Sequence, residues 1–189
     1  MPLLVLVAGL NGAGKTTFVQ DRLRYFPVFR KLPVVNPDAI AAAQHISPAA
    51  AGRTALQARR TLLAACRSFA VETTLSGHSE VTLVQWAKDA GYAVWLFYVG
   101  LANLQLNHYR IEERVADGGH FVPASDVVRR APRSAENFRR LRPYVDRLWL
   151  FDNSGLEGFQ CLREEKSGAV VFQTEKLPRW AAELLEEPC

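Results

Sequence analysis

Gly9-Leu10-Asn11-Gly12-Ala13-Gly14-Lys15-Thr16 decides the reading of this sequence. The octapeptide meets the pattern G-x-x-x-x-G-K-[ST] at every fixed position. The six residues before it, 3–8, form an unbroken apolar run, as expected of a strand buried on both faces of a parallel sheet. The residues after it carry a helical pattern over 15–25. Strand, glycine loop and helix in that order make a phosphate cradle. The loop must turn its N–H groups inward around phosphate oxygens, which calls for glycine, and the helix start adds a favourable dipole. Gly9, Asn11, Gly12, Ala13, Gly14, Lys15, Thr16 and Thr17 are therefore the expected ATP-binding set. Lys15 suits the β- and γ-phosphates, and the Thr16 hydroxyl suits Mg²⁺.

Working outward, residues 32–36 read as a second strand, and Pro37 is placed to open a helix at its first turn. A long helix rich in Ala, Leu and Arg is expected over 48–67. A third strand follows at 69–73, a helix at 80–90 stopped by Gly91, a fourth strand at 92–99 and a fifth at 148–152. Strands alternating with helices predict an α/β fold with a parallel sheet, right-handed crossovers and helices on both faces. Two stretches depart from the alternation. Residues 102–144 are helical, arginine-rich and strandless, an insert of the kind that closes over phosphates. Residues 159–163 and 170–173, separated by Ser167-Gly168, read as a C-terminal antiparallel hairpin, and a last helix is expected at 179–186. No repeat, low-complexity tract or linker divides residues 1–189, so a single domain is expected.

The 189 residues suffice for an ordinary core, with 49% apolar and 22% charged residues. The net charge of +4 is a mild basic excess. It fits an anionic small molecule and makes nucleic acid an unlikely partner. Three widely spaced cysteines, Cys66, Cys161 and Cys189, show no metal spacing and are expected to be reduced thiols in a cytoplasmic protein, with Cys66 a small core residue. The N-terminus lacks a basic leader, and no apolar run reaches the roughly 18 residues of a membrane span. A GTPase would carry N-K-x-D, which is absent.

Three further groups fall at expected strand ends, where open parallel sheets bind ligands. Asp38, in Asn36-Pro37-Asp38, reads as a general base toward a hydroxyl or as a carboxylate behind Mg²⁺. The plainer alternative is a charge favoured at a helix start. Glu72-Thr73-Thr74-Leu75-Ser76-Gly77-His78 clusters a carboxylate and hydroxyls suited to a polar substrate, against a turn capped by Ser79. Asp152-Asn153-Ser154-Gly155 lies where an adenine would sit. In the insert, Arg110 and Arg114, and Arg129 and Arg133, are spaced i, i+4, and Arg130 and Arg133 i, i+3. Guanidinium suits a phosphoryl-transfer clamp, and the plainer alternative is a solvated basic face.

Together these stretches resemble the zeta-toxin family of P-loop kinases in its short, stand-alone bacterial form. The likeness runs through residues 8–17, Asn36-Pro37-Asp38, Glu72-Thr73-Thr74-Leu75-Ser76-Gly77, Gly118-Gly119-His120-Phe121-Val122-Pro123, the arginines at 129, 130 and 133, and Asp152-Asn153-Ser154. The resemblance implies ATP- and Mg²⁺-dependent phosphorylation of a hydroxyl on a nucleotide sugar, with UDP-N-acetylglucosamine the best-known acceptor. It implies Asp38, Lys15, Arg114 and Arg130 as catalytic residues, with Arg129 and Arg133 as alternates for Arg130. It implies Glu72 and Thr74 as substrate contacts and Thr16 at the metal; Ser76 and His120 are further candidate substrate contacts, and Asn153, at the end of the fifth strand, is a candidate contact to the nucleotide. Many such toxins pair with a small antitoxin protein, which makes one a candidate partner here.

Overall fold

The computed structural model describes residues 1–23, 27, 29, 31–116 and 121–186, apart from the side chains of 114 and 116. Its centre is β1 (Leu3–Ala8), all six residues of which are buried. Leu4, Leu6 and Ala8 enter one core and Leu3, Val5 and Val7 the other, so the two-residue strand period sorts one apolar run onto both faces of the sheet. β1 pairs in parallel with β3 (Phe69–Thr73) and β4 (Ala93–Gly100). The seven-stranded sheet has the order β2-β3-β1-β4-β5-β6-β7, with β2 at Val34–Val35 and β5 at Arg147–Asp152. β1 to β5 are parallel. β6 (Gln160–Lys166) and β7 (Ala169–Gln173) add the expected antiparallel hairpin. Ser167 and Gly168 both take positive φ (49° and 80°), as a tight two-residue hairpin requires.

One face of the sheet is covered by α3 (Pro48–Ala64), α4 (His78–Asp89), α6 (Ala124–Leu141) and α7 (Arg179–Leu185), through side chains such as Ala55, Val84, Phe138 and Leu184. The other face holds Phe18 of α1 (Lys15–Asp21), set against Phe97, Phe151 and Phe159 with ring centroids 4.8–5.7 Å apart. Among its described residues the 102–144 stretch has no strand. It forms α5 (Leu104–Ala116), α6 and a 3₁₀ turn at Arg142–Tyr144.

Several boundaries differ from expectation for identifiable reasons. The first helix, expected to residue 25, ends at Asp21. The second strand shrinks to two residues because Asn36 leaves it to cap α2 (Pro37–Gln44), accepting from the Asp38 and Ala39 N–H groups. The helix expected over 48–67 ends at Ala64. The N–H of Cys66 donates to the Leu63 carbonyl and that of Arg67 to the Leu62 carbonyl, with Cys66 at φ 50°. These bonds close a Schellman end in which Cys66 occupies the left-handed position usually held by glycine. Cys66 is consequently exposed, not a core residue. Ser79 does not cap α4, which starts at His78 with Gly77 in the cap position. Cys189 lies outside the described residues.

Candidate active site

The phosphate loop follows β1 directly. Gly12 (φ 80°) lies against α5, where a Cβ would come within 2.5 Å of the Asn107 carbonyl oxygen. Gly14 caps α1 in the left-handed region at φ 93°. Both positions therefore require glycine. Lys15 Nζ donates to the Leu10 carbonyl at 3.0 Å, arched back over its own loop. Asn11 fastens the loop to the insert: its carbonyl accepts from Asn107 Nδ2 and its Oδ1 from Arg130, both at 2.7 Å. Asn153 Nδ2 donates to the Ala13 carbonyl at 3.0 Å, tying the end of β5 to the loop.

Thr16 Oγ1 donates to Glu72 Oε2 at 2.8 Å. Glu72 sits near the end of β3, opposite Val7 of β1, and is only 6% exposed. The parallel register thus brings a buried carboxylate under the phosphate-loop hydroxyl. The family resemblance implies Glu72 as a substrate contact, and the fold sets its carboxylate against Thr16.

A cleft of about 1180 Å³ opens over these groups. Asn11, Gly12, Gly14, Lys15, Thr16, Thr17 and Asn153 line one part of it, and Asp38, Thr74, Ser76 and Gly77 another. Gly9 and Ala13 are buried and do not line it. Asp38, in the first turn of α2, is exposed on the wall. Thr74 and Ser76 share a hydrogen bond at 2.8 Å.

Among the candidate arginines, Arg130 lines the cleft and also donates to Asp126 at 3.1 Å. Arg129 reaches outward to Asp126 at 2.6 Å, and neither it nor Arg133 lines the cleft. Asp126 is an acid held below the usual carboxylate range, first by its hydrogen bond from Arg129. Arg110 of α5 also lines the cleft. The Arg114 side chain, the Gly118-Gly119 pair and His120 lie outside the described residues.

Two residues missed in the sequence complete the wall. Arg59 and Glu80, 4% and 6% exposed, pair at 3.0 Å beside Ser76 and Gly77. The Ser79 hydroxyl donates to the second Glu80 oxygen at 2.9 Å. A signal for Arg59 was present, since Ala51, Ala55 and Arg59 repeat every four residues on the buried stripe of α3. A cation ending a stripe of small residues has to be paired.

A glycine phosphate loop at the end of the central strand, with a carboxylate from the neighbouring strand behind its threonine, defines a P-loop α/β fold. No family model matches the chain. The chain is 33% identical over 135 residues to an uncharacterized protein of Haemophilus influenzae, an alignment spanning 66% of this chain and 89% of that one. It belongs to the same family as that protein. Among solved structures it is similar to the AvrRxo1-ORF1:-ORF2 complex crystallised with ATP, at TM-score 0.71 and 18% identity over 90% of this chain. It spans 60% of the length of that neighbour. It is also similar to the PezAT chromosomal toxin-antitoxin system of Streptococcus pneumoniae, at 0.63 and 16% over 87% of this chain and 72% of that one. A putative kinase from Chloroflexus aurantiacus matches at 0.51 and 22% over 62% and 69% of the two chains. The fold is that of the zeta-toxin-like P-loop kinases.

Proposed function

We propose that the protein is an ATP-dependent kinase that transfers the γ-phosphoryl group to a hydroxyl of a nucleotide sugar such as UDP-N-acetylglucosamine. The observation that carries this reading is the make-up of one cleft. It joins the phosphate loop, the Thr16–Glu72 pair, Arg130, and an exposed carboxylate with two hydroxyls at Asp38, Thr74 and Ser76. Its volume of about 1180 Å³ exceeds the roughly 300–1,000 Å³ of a single-ligand pocket, leaving room for a donor and an acceptor together.

In this reading the loop N–H groups and Lys15 hold the triphosphate, Lys15 giving up the Leu10 carbonyl to do so. Thr16 and Glu72 offer the hard oxygen atoms that Mg²⁺ prefers and would hold the ion, which would supply positive charge against the phosphates. Asp38 orients the acceptor hydroxyl. As that oxygen bonds to phosphorus, the bridging oxygen leaves with its electron pair on ADP, and the proton passes to an Asp38 carboxylate oxygen. Arg130, and Arg114 by family likeness, meet the charge on the transferring group. Thr74, Ser76 and His120 contact the acceptor.

A cytoplasmic location and a small antitoxin partner belong to the same proposal. The partner is supported by the likeness to the PezAT toxin-antitoxin system. No described helix is long and apolar enough to cross a membrane. A second reading, phosphorylation of a nucleic-acid end, is favoured by a likeness to a chain of the Pnkp1/Rnl/Hen1 RNA repair complex, at TM-score 0.52 over 74% of this chain and 46% of that one.

Incubation with ATP, Mg²⁺ and either UDP-N-acetylglucosamine or a 5′-hydroxyl oligonucleotide separates the two by mass spectrometry. The proposal expects a sugar nucleotide heavier by one HPO₃, and its absence beside a phosphorylated oligonucleotide would overturn it. Lys15→Ala should abolish most of the turnover, and undiminished turnover in a folded Lys15→Ala protein would remove the phosphate loop from the mechanism.

A further inference from the structure

Helix α6 reaches both ends of the cleft. Near its start Arg130 donates to Asn11 of the phosphate loop at 2.7 Å. One turn on, the Ser134 hydroxyl shares a hydrogen bond with Tyr98 of β4 at 3.1 Å. A further turn on, the Asn137 side-chain amide donates to the carbonyls of Leu75 and Gly77 at 2.9 and 3.0 Å. Positions 130, 134 and 137 are spaced i, i+4, i+7 and lie along one face of the helix.

The turn that Asn137 holds is not one the chain adopts easily. Leu75 sits at φ 57°, in the left-handed region that a branched side chain rarely enters, and it is fully buried. Such a conformation persists only where its surroundings over-determine it. Here the Leu75 N–H donates to Thr73 Oγ1 at 2.9 Å, and Asn137, itself 4% exposed, takes the carbonyls on either side of Ser76. The product is a rigid turn that sets the Thr74 and Ser76 hydroxyls side by side on the cleft wall.

We propose that Asn137 is a positioning residue for phosphoryl transfer. Through α6 it fixes the 74–77 turn relative to the phosphate loop, so that an acceptor held by Thr74 and Ser76 meets the γ-phosphate in register. The proposal rests on the kinase reading above. Loss of the contact frees the acceptor end while the donor end stays intact. Bound ATP then passes its γ-phosphoryl group more often to water, giving ADP and inorganic phosphate, than to the acceptor hydroxyl.

The test compares wild type with Asn137→Ala in the full chain. Three quantities are read: hydrogen–deuterium exchange over residues 74–77, affinity for a fluorescent ATP analogue, and the partition of γ-phosphate between UDP-N-acetylglucosamine and water. The expectation is faster exchange confined to the turn, unchanged nucleotide affinity, an acceptor KM raised about tenfold, as for a lost buried hydrogen bond, and a larger share lost to water. A general loss of stability would instead lower both fates of the phosphate together. Unchanged exchange at 74–77 overturns the proposal, and so does a freed turn with wild-type acceptor KM and partition. If Asn137→Ala does not fold, Asn137→Asp, which keeps the volume and loses the two donors, is read in the same way. If wild type transfers nothing to UDP-N-acetylglucosamine, it is that acceptor assignment that fails. The exchange and nucleotide-affinity arms then decide the positioning role: a freed turn with ATP affinity kept supports it, a protected turn ends it.

Discussion

The two ends of the cleft are built by different means. The phosphate end is backbone: a loop of eight consecutive residues, shaped by glycines and launched from the central strand, offers N–H groups that exist in any sequence able to make the turn. The acceptor end is side chain. Its wall depends on Arg59 reaching Glu80, on Asn137 reaching a turn sixty residues earlier, and on a leucine held in a left-handed conformation. Chemistry common to every phosphate donor can be written into a short local stretch. Recognition of one acceptor has to be assembled from distant parts, and it varies more readily for the same reason.

Substitutions that strike one end and spare the other would break or sharpen this division. The largest effect is expected for Arg130→Ala. Arginines that meet a transferring phosphoryl group contribute about 10³–10⁵ in rate. Steady-state kinetics should show kcat falling on that scale with nucleotide affinity little changed. Equal losses in both would make Arg130 a ground-state clamp. Asp38→Asn should lower kcat by about 10²–10⁴, the usual contribution of a general base, again with ATP binding kept. Collapse of Mg²⁺–ATP binding would instead move Asp38 to the donor end.

Glu80→Gln attacks the acceptor wall through stability. It strands the buried Arg59 guanidinium, whose Nε already lacks a hydrogen-bond partner, and breaking such a pair costs about 3–5 kcal/mol. Urea denaturation measures the loss. Replacing both partners by apolar residues of like volume should recover much of it, whereas an unchanged midpoint in the single variant would show that water reaches the pair. The smallest effect is expected at Asp126, which steadies Arg130. Its carboxyl lies below the ordinary 3.8 through contact with Arg129, so it favours the folded state above that pH and the contribution fades as pH falls through the lowered value. The difference in urea midpoint between wild type and Asp126→Asn should be small at neutral pH and absent in strong acid. A difference that grew on acidification would contradict the assignment.

The same division explains what the sequence disclosed. The phosphate loop, β1, β3 and the helix opened at Pro37 are local patterns, and they stand where the residues placed them. The hairpin is announced by Ser167-Gly168 for the same reason. Cys66 was misread because a helical pattern does not reveal that the helix must end there in a left-handed residue. The contact of Glu72 with Thr16 is invisible in the sequence, because only the parallel register of β1 and β3 brings the carboxylate under that hydroxyl. Arg130 could not be separated from Arg129 and Arg133 by spacing. Which of them lines the cleft depends on how α6 lies across the sheet.

The β6–β7 hairpin also bears on the order in which the chain acquires its shape. Each parallel strand from β1 to β5 must wait for a crossover to bring distant residues together, and such pairings are slow. The hairpin joins neighbours: Lys166 faces Ala169 and Arg163 faces Gln173 across a two-residue turn. Hairpins of this kind close within about 1–10 μs but are marginal when isolated. The last strands of the chain can therefore form and dissolve many times before β5 exists to receive them. The edge of the sheet becomes permanent only when its slowest interior pairings are complete.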